Sequence, residues 1–165
     1  MTRIPIIVMG PSGSGKSTLG RALAADLGWR FVEGDDLHPP ENVAKMRGGT
    51  ALTDEDRGPW IAQVVRTIRE LRDGGLVVAC SALRRQHREQ IRAQAGPVSF
   101  VFPEVARAEL APRVRQREEH FMPLSLLDSQ LADFEPPAPQ EAVLHVSGTL
   151  DVARQVEQVR LALDA

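Results

Sequence analysis

The chain is poor in several things, and each scarcity narrows what it can be. A single cysteine, Cys80, in 165 residues rules out an intrachain disulfide and fits a reducing compartment. No run of about 20 apolar residues is present, so no membrane helix is expected. The opening MTRIPIIVMG passes from a short apolar run straight into a glycine loop, without the h-region of a signal peptide. A cytoplasmic protein is the expectation. Neither sign of charge dominates: 20 basic and 22 acidic residues leave a net charge of −2. No basic stripe points to a nucleic-acid partner. Lysine is scarce too, being confined to Lys16 and Lys45. Every other side-chain cation is arginine or histidine. Arginine is the better residue for bidentate anion contacts, although GC-rich coding gives the same bias. No internal repeat is visible. An apolar content of 42% suits one globular domain over residues 1–165, with a real core.

What is present alternates. Short apolar runs at 5–9 (PIIVM), 76–80 (LVVAC), 98–102 (VSFVF) and 142–146 (AVLHV) read as buried strands, with 30–33 (RFVE) as a fifth. Helical patterns fall between them, at 16–27, 54–72, 84–95, 104–118, 124–134 and 149–163. Gly28, Gly74-Gly75 and Gly96 close three of these helices. Alternation of this kind predicts an α/β fold, a parallel sheet with helices on both faces. Residues 39–53 and 119–125 resist the plan and are candidates for moving or substrate-facing parts. The proline-rich EPPAPQ at 135–140 reads as a connector.

Gly10-Pro11-Ser12-Gly13-Ser14-Gly15-Lys16-Ser17 matches the phosphate-loop pattern at every fixed position, between a predicted strand and a predicted helix. Glycine lets the backbone wrap tightly and aim its N–H groups at phosphate oxygens. The helix N-terminus, with Thr18 in its first turn, adds positive potential. Lys16 is expected on the β- and γ-phosphates of ATP and Ser17 on Mg²⁺. The 76–80 strand ends in Cys80-Ser81 with no acid, and no Asp-Glu pair follows any strand. That argues against motor and helicase ATPases, in which a carboxylate orients water. It favours a small-molecule kinase, whose acceptor hydroxyl replaces that water. The acid that activates the hydroxyl must then come from elsewhere, with Gly34-Asp35-Asp36 after the second strand as the nearest supply.

Four segments are more specific than the loop: GPSGSGKST, GDDLHPPENVAKMRGGTALTDEDRGPW, CSALRRQHRE and RVRQREEHFMPLSLLDSQLADFEPP. Together they resemble the gluconokinase family, from the loop to about Pro137. The resemblance implies a three-layer P-loop NTPase fold with five parallel strands in the order 2-3-1-4-5. It implies a small helical lid at about 113–130 and transfer of phosphate from ATP, with Mg²⁺, to D-gluconate, giving 6-phospho-D-gluconate. Relatives are often homodimers. A kinase for another small hydroxy acid, such as a shikimate-like one, is the first alternative, and a nucleotide-dependent switch ATPase the second. Ala51, Pro103-Glu104-Val105 and Pro112 depart from the family pattern, and Pro112 bears on the geometry of the lid arginines.

Roles follow on that basis. Asp36 is expected to be the general base on the substrate hydroxyl, and Asp35 to hold Mg²⁺ through water; similarity to shikimate kinase favours the second acid as the substrate-facing one. The alternative for these acids is capping of a short helix after Pro40. His38 either bonds a substrate hydroxyl or fixes the turn before Pro39. Lys45 is a substrate-side candidate, and Arg47 reads as solvated. Arg57 sits near a helix N-terminus, where a cation is unfavourable. Binding the gluconate carboxylate explains its placement, as does an ion pair with Asp54. Trp60 reads as core. Ser81 and Arg84 follow the third strand, and the resemblance puts Arg84 or Arg85 on substrate or phosphate. His87 and Arg88 look solvated. Arg113 and Arg117 share a helix face and, with His120, are expected to close over the γ-phosphate. The resemblance puts Ser147-Gly148 near the adenine; a simple turn with Thr149 capping the last helix is the alternative.

Overall fold

The computed structural model describes residues 3–115 and 125–164. Five strands form one all-parallel sheet: β1 (Ile6–Val8), β2 (Arg30–Glu33), β3 (Leu76–Ala79), β4 (Ser99–Glu104) and β5 (Leu144–Ser147). Their order is β2-β3-β1-β4-β5, as the family resemblance implies. β2 has the predicted bounds. The other four shift by one to two residues at either end, the usual uncertainty of boundaries read from pattern.

Seven helices are described: α1 (Lys16–Leu27), α2 (Pro40–Arg47), α3 (Asp54–Leu71), α4 (Arg85–Ala95), α5 (Arg107–Arg115), α6 (Ser125–Asp133) and α7 (Val152–Leu163). Period-two alternation splits β1 between two cores. Ile7 and Met9 pack with Trp60, Ile61 and Val64 of α3 and Ile91 of α4. Ile6 and Val8 pack with Leu19 and Leu23 of α1 and Val156 and Val159 of α7. The sheet is therefore buried on both faces, and β1 and β3 are wholly apolar.

Local chemistry sets the helix limits. Thr53 caps α3 in a reciprocal box: its side chain accepts from the Asp56 N–H, and the Asp56 carboxylate accepts from the Thr53 N–H. Gly28 ends α1 in the left-handed conformation. Asp151, rather than Thr149, caps α7 by accepting from the Arg154 N–H. The segment 39–53 contains α2, whose Pro40 sits in the first turn where its missing N–H costs nothing. Pro112 lies inside α5.

Two residues expected to be solvated are buried. Arg88 is 0% and His87 4% exposed, so α4 turns that side of its pattern inward. Arg88 binds the Glu141 carboxylate through Nε at 2.7 Å and Nη2 at 3.2 Å. Its remaining N–H groups donate to the carbonyls of Ala82, Leu83 and Glu135. Glu141 also accepts from the Ala138 N–H. The Arg88 hydrogen bond holds the Glu141 carboxyl below its usual range, against the opposing pull of burial. The proline connector is thus the anchor of a buried ion pair. Its partner fixes the turn after β3, where Ala82 adopts a positive φ of 41°.

Candidate active site

The carboxyl ends of the central strands converge on one cavity, where open α/β sheets place their ligands. It is lined by Ser12, Lys16, Asp35, His38, Arg57, Trp60, Ser81 and Gln130, with an apolar wall that includes Met46, Leu52, Leu83 and Leu126. Residues from the phosphate loop, the turn after β2, α3, the turn after β3 and α6 therefore meet in one place.

The phosphate loop hangs on its neighbours. The Gly10 N–H donates to the Ser81 carbonyl at 3.1 Å. Gly13 has φ 87°, and a Cβ there would lie 3.0 Å from the Leu110 carbonyl of α5 and 3.2 Å from Val114. Only glycine suits both the conformation and the approach. Ser12 and Ser14 are buried, and neither hydroxyl has a partner among the described residues. Lys16 is 4% exposed. Arg113 reaches across the loop, donating to the Gly13 carbonyl at 3.2 Å and the Gly148 carbonyl at 3.0 Å. It thereby joins the phosphate loop to the loop after β5, the two segments expected to flank the nucleotide. Thr18 and Ser147 are exposed and Gly148 is buried. Arg117 and His120 lie outside the described residues.

The two adjacent aspartates separate. Gly34–Leu37 is a 3-10 turn, in which successive residues point about 120° apart. Asp35 faces the cavity, while Asp36 is exposed and does not line it. Asp36, expected as the substrate-facing acid, thus lies on the exposed side of the turn, and Asp35 is the acid at the cavity. Gly34 fixes the start of the turn, because a Cβ there would come within 2.3 Å of the Ala79 carbonyl.

Glu33, at the end of β2, matches no motif in the sequence but gains a partner in the fold. The Ser17 hydroxyl donates to Glu33 Oε2 at 2.5 Å, and Glu33 Oε1 is buried without a partner among the described residues. Alternation supplies the reason. Phe31 packs against Arg21 and Gly20 of α1, so Glu33, two residues on, faces the start of the same helix. The signal was present in RFVE: an acid does end a strand, but it is the second strand and not the third.

His38 stacks on Trp60 with ring centroids 4.3 Å apart. Its Nδ1 lies 3.2 Å from Asn42 Nδ2, a donor, so the ring proton belongs on Nε2. Burial, aided by Arg57 and opposed by Asp35, lowers its pKa to about 4, which makes His38 neutral at pH 7. Trp60 is both core and cavity wall, and its Nε1 donates to the Gly34 carbonyl at 2.8 Å.

Lys45 is drawn away from the cavity, pairing with Asp56 at 2.6 Å, and does not line it. Its hydrogen bond lowers the Asp56 pKa to about 2, helped by the Thr53 backbone N–H. Arg57 is buried and binds Asp133 at 2.7 Å and Asp54 at 3.5 Å. Arg84 binds the same two acids, at 2.9 and 3.5 Å, and it too is absent from the cavity lining. Gln130, in the SQ pair of α6, accepts the Ser12 N–H at 2.9 Å. Neither Gln130 nor Asp133 was given a role from sequence, because their partners are about 50 to 120 residues away.

This sheet order, with a glycine loop leading into α1 and a polar-lined cavity beside it, defines a nucleotide-binding P-loop kinase fold. A family model described as an AAA domain matches residues 6–137. A gluconokinase of Gluconobacter oxydans (strain 621H) is 52% identical over 145 residues, covering 87% of this chain and 82% of that protein. The thermosensitive gluconokinase of Escherichia coli (strain K12) is 37% identical over 161 residues, covering 95% and 86%. A crystal structure of a gluconokinase from Sinorhizobium meliloti 1021 superposes with a TM-score of 0.84 at 42% identity, covering 99% of this chain and 95% of that one. The chain belongs to the gluconokinase family.

Proposed function

We propose that the protein transfers the γ-phosphoryl group of ATP to the 6-hydroxyl of D-gluconate, with Asp35 as the general base. One observation carries the assignment of roles: Asp35 shares a cavity with Lys16 and Ser12 of the phosphate loop and with His38, Arg57 and Ser81. Donor and acceptor groups therefore face each other at the sheet edge. A carboxylate beside the hydroxyl accepts its proton as transfer proceeds, while Lys16 stabilises charge on the phosphoryl oxygens. Neutral His38, protonated on Nε2, offers a hydrogen bond to a sugar hydroxyl. Arg57 offers a guanidinium to the sugar carboxylate. Arg113 serves the nucleotide side, and Arg117 and His120 remain part of the proposed closing segment.

The Ser17 hydroxyl and the open oxygen of Glu33 are hard donors suited to Mg²⁺, which binds through one or two protein oxygens, water and phosphate. Among the described residues no group of three or more His, Cys, Asp or Glu could hold a metal by itself, which agrees with a metal shared with the nucleotide. Bound Mg²⁺ would neutralise charge on the β- and γ-phosphates. Glu33 takes the metal-side role expected of Asp35. No described helix is long and apolar enough to cross a membrane. A cytoplasmic location and a homodimer complete the proposal.

The test is ADP release with ATP and Mg²⁺ across a panel of sugar acids, neutral sugars and shikimate. Gluconate should be the preferred acceptor, with phosphorylated gluconate as product. Turnover with shikimate but not gluconate would refute the reading.

A further inference from the structure

Gln130 and Asp133 stand three residues apart on α6, and so share a helix face. Gln130 fastens that face to the phosphate loop at Ser12. Asp133 fastens it to Arg57 and Arg84, one carboxylate oxygen to each guanidinium. Burial raises the Asp133 pKa, but the hydrogen bonds from Arg57 and Arg84 together outweigh it and leave the carboxyl below its ordinary range.

Charge arithmetic makes this contact consequential. The cluster holds two cations, Arg57 and Arg84, and two anions, Asp54 and Asp133. His87 approaches Asp54 at 3.6 Å, but burial first, then Arg57, lowers its pKa, so it adds no charge at pH 7. Among the described residues these four charges balance, and Glu135 is a further anion acting on Arg84. A carboxylate arriving at Arg57 would give the cluster excess negative charge where screening is weak. One anion must yield. Asp54 makes only the longer contacts and is nearly half exposed, so water screens its charge where it stands; Asp133 holds the short contact on Arg57 and is the anion that a second carboxylate there must displace.

We infer that Asp133 is a built-in competitor for the acceptor's carboxylate. The carboxylate takes the place of Asp133 on Arg57, and Asp133 sets acceptor affinity by the fraction of Arg57 it leaves available. Because α6 also holds Ser12 through Gln130, acceptor binding is transmitted to the loop that holds the donor. The inference rests on the proposed role of Arg57 toward gluconate.

Calorimetric titration of gluconate into the whole protein tests it. Asp133→Asn and Asp133→Ala should bind gluconate more tightly than wild type, by on the order of tenfold. A residue that merely braces Arg57 would weaken gluconate binding when removed. Hydrogen exchange on wild type needs no variant: gluconate alone should speed exchange of the α6 amides, whereas a brace predicts slowing or no change. Arg57→Met separates the role of Arg57 from that of Asp133. If R57M binds gluconate as wild type does, the reading of Arg57 fails and the inference falls with it. If R57M loses gluconate while both Asp133 variants bind no more tightly than wild type, the competitor role alone is overturned.

Discussion

The Ser17 hydroxyl donates to Glu33 Oε2 at 2.5 Å, joining the last residue of the phosphate loop to the last residue of β2. This contact puts an acid beside the loop although the third strand ends without one. With Oε1 buried and unpartnered among the described residues, Glu33 is half satisfied, the condition of a carboxylate built to take a further ligand.

Glu33→Gln keeps the shape and removes the charge. It should raise the Mg²⁺ concentration needed for half-maximal activity by about 10- to 100-fold, the range for groups that orient a metal's ligands, with a smaller change in gluconate KM. Titrating Mg²⁺ at saturating ATP measures this. An unchanged Mg²⁺ requirement would remove Glu33 from the metal's surroundings.

Asp35 and Asp36 can be told apart directly. Asp35→Asn should lower kcat by on the order of 10²- to 10⁴-fold, the usual share of a general base, and leave ATP binding intact. Asp36→Asn should turn over like wild type, since its side chain faces water. A reversal of the two results would return the role to Asp36.

The Arg88–Glu141 pair should prove costly to break and cheap to replace. Arg88→Met leaves the buried Glu141 with only the longer Arg92 contact at 3.9 Å and the Ala138 N–H, a loss of about 3–5 kcal/mol. For a domain of this size that corresponds to a melting point lower by roughly 10 °C or more. Adding Glu141→Leu to Arg88→Met should recover part of that loss. Calorimetric melting of the single and double variants decides it; a double variant less stable than R88M would mean the three backbone carbonyls bound by Arg88 dominate.

His38 predicts an acid-side loss of stability. Its folded pKa of about 4 lies below the ordinary 6.5, so between those values the unfolded chain binds more protons. The contribution is complete above pH 6.5 and declines as pH falls toward 4. His38→Asn should flatten the fall in melting temperature across that window. Asp56, with its pKa at about 2, acts below it and does not confuse the comparison. Parallel slopes for the two proteins would contradict the buried neutral state.

The sequence by itself determined the alternation of strand and helix, the phosphate loop and its flanking elements, and the four segments that carry the family. These are local signals: period, glycine placement and fixed spacing along the chain. Only the tertiary structure decided how the acids divide. Whether Asp35 or Asp36 faces the cavity depends on the pitch of one 3-10 turn. Glu33 gains its role because β2 lies against the start of α1. His87 and Arg88 looked solvated because their partners, Asp54 and Glu141, are remote in sequence. For the same reason Asp133 could not be matched to Arg57, 76 residues away. A charge declares its residue type in the sequence, but its partner is set by packing.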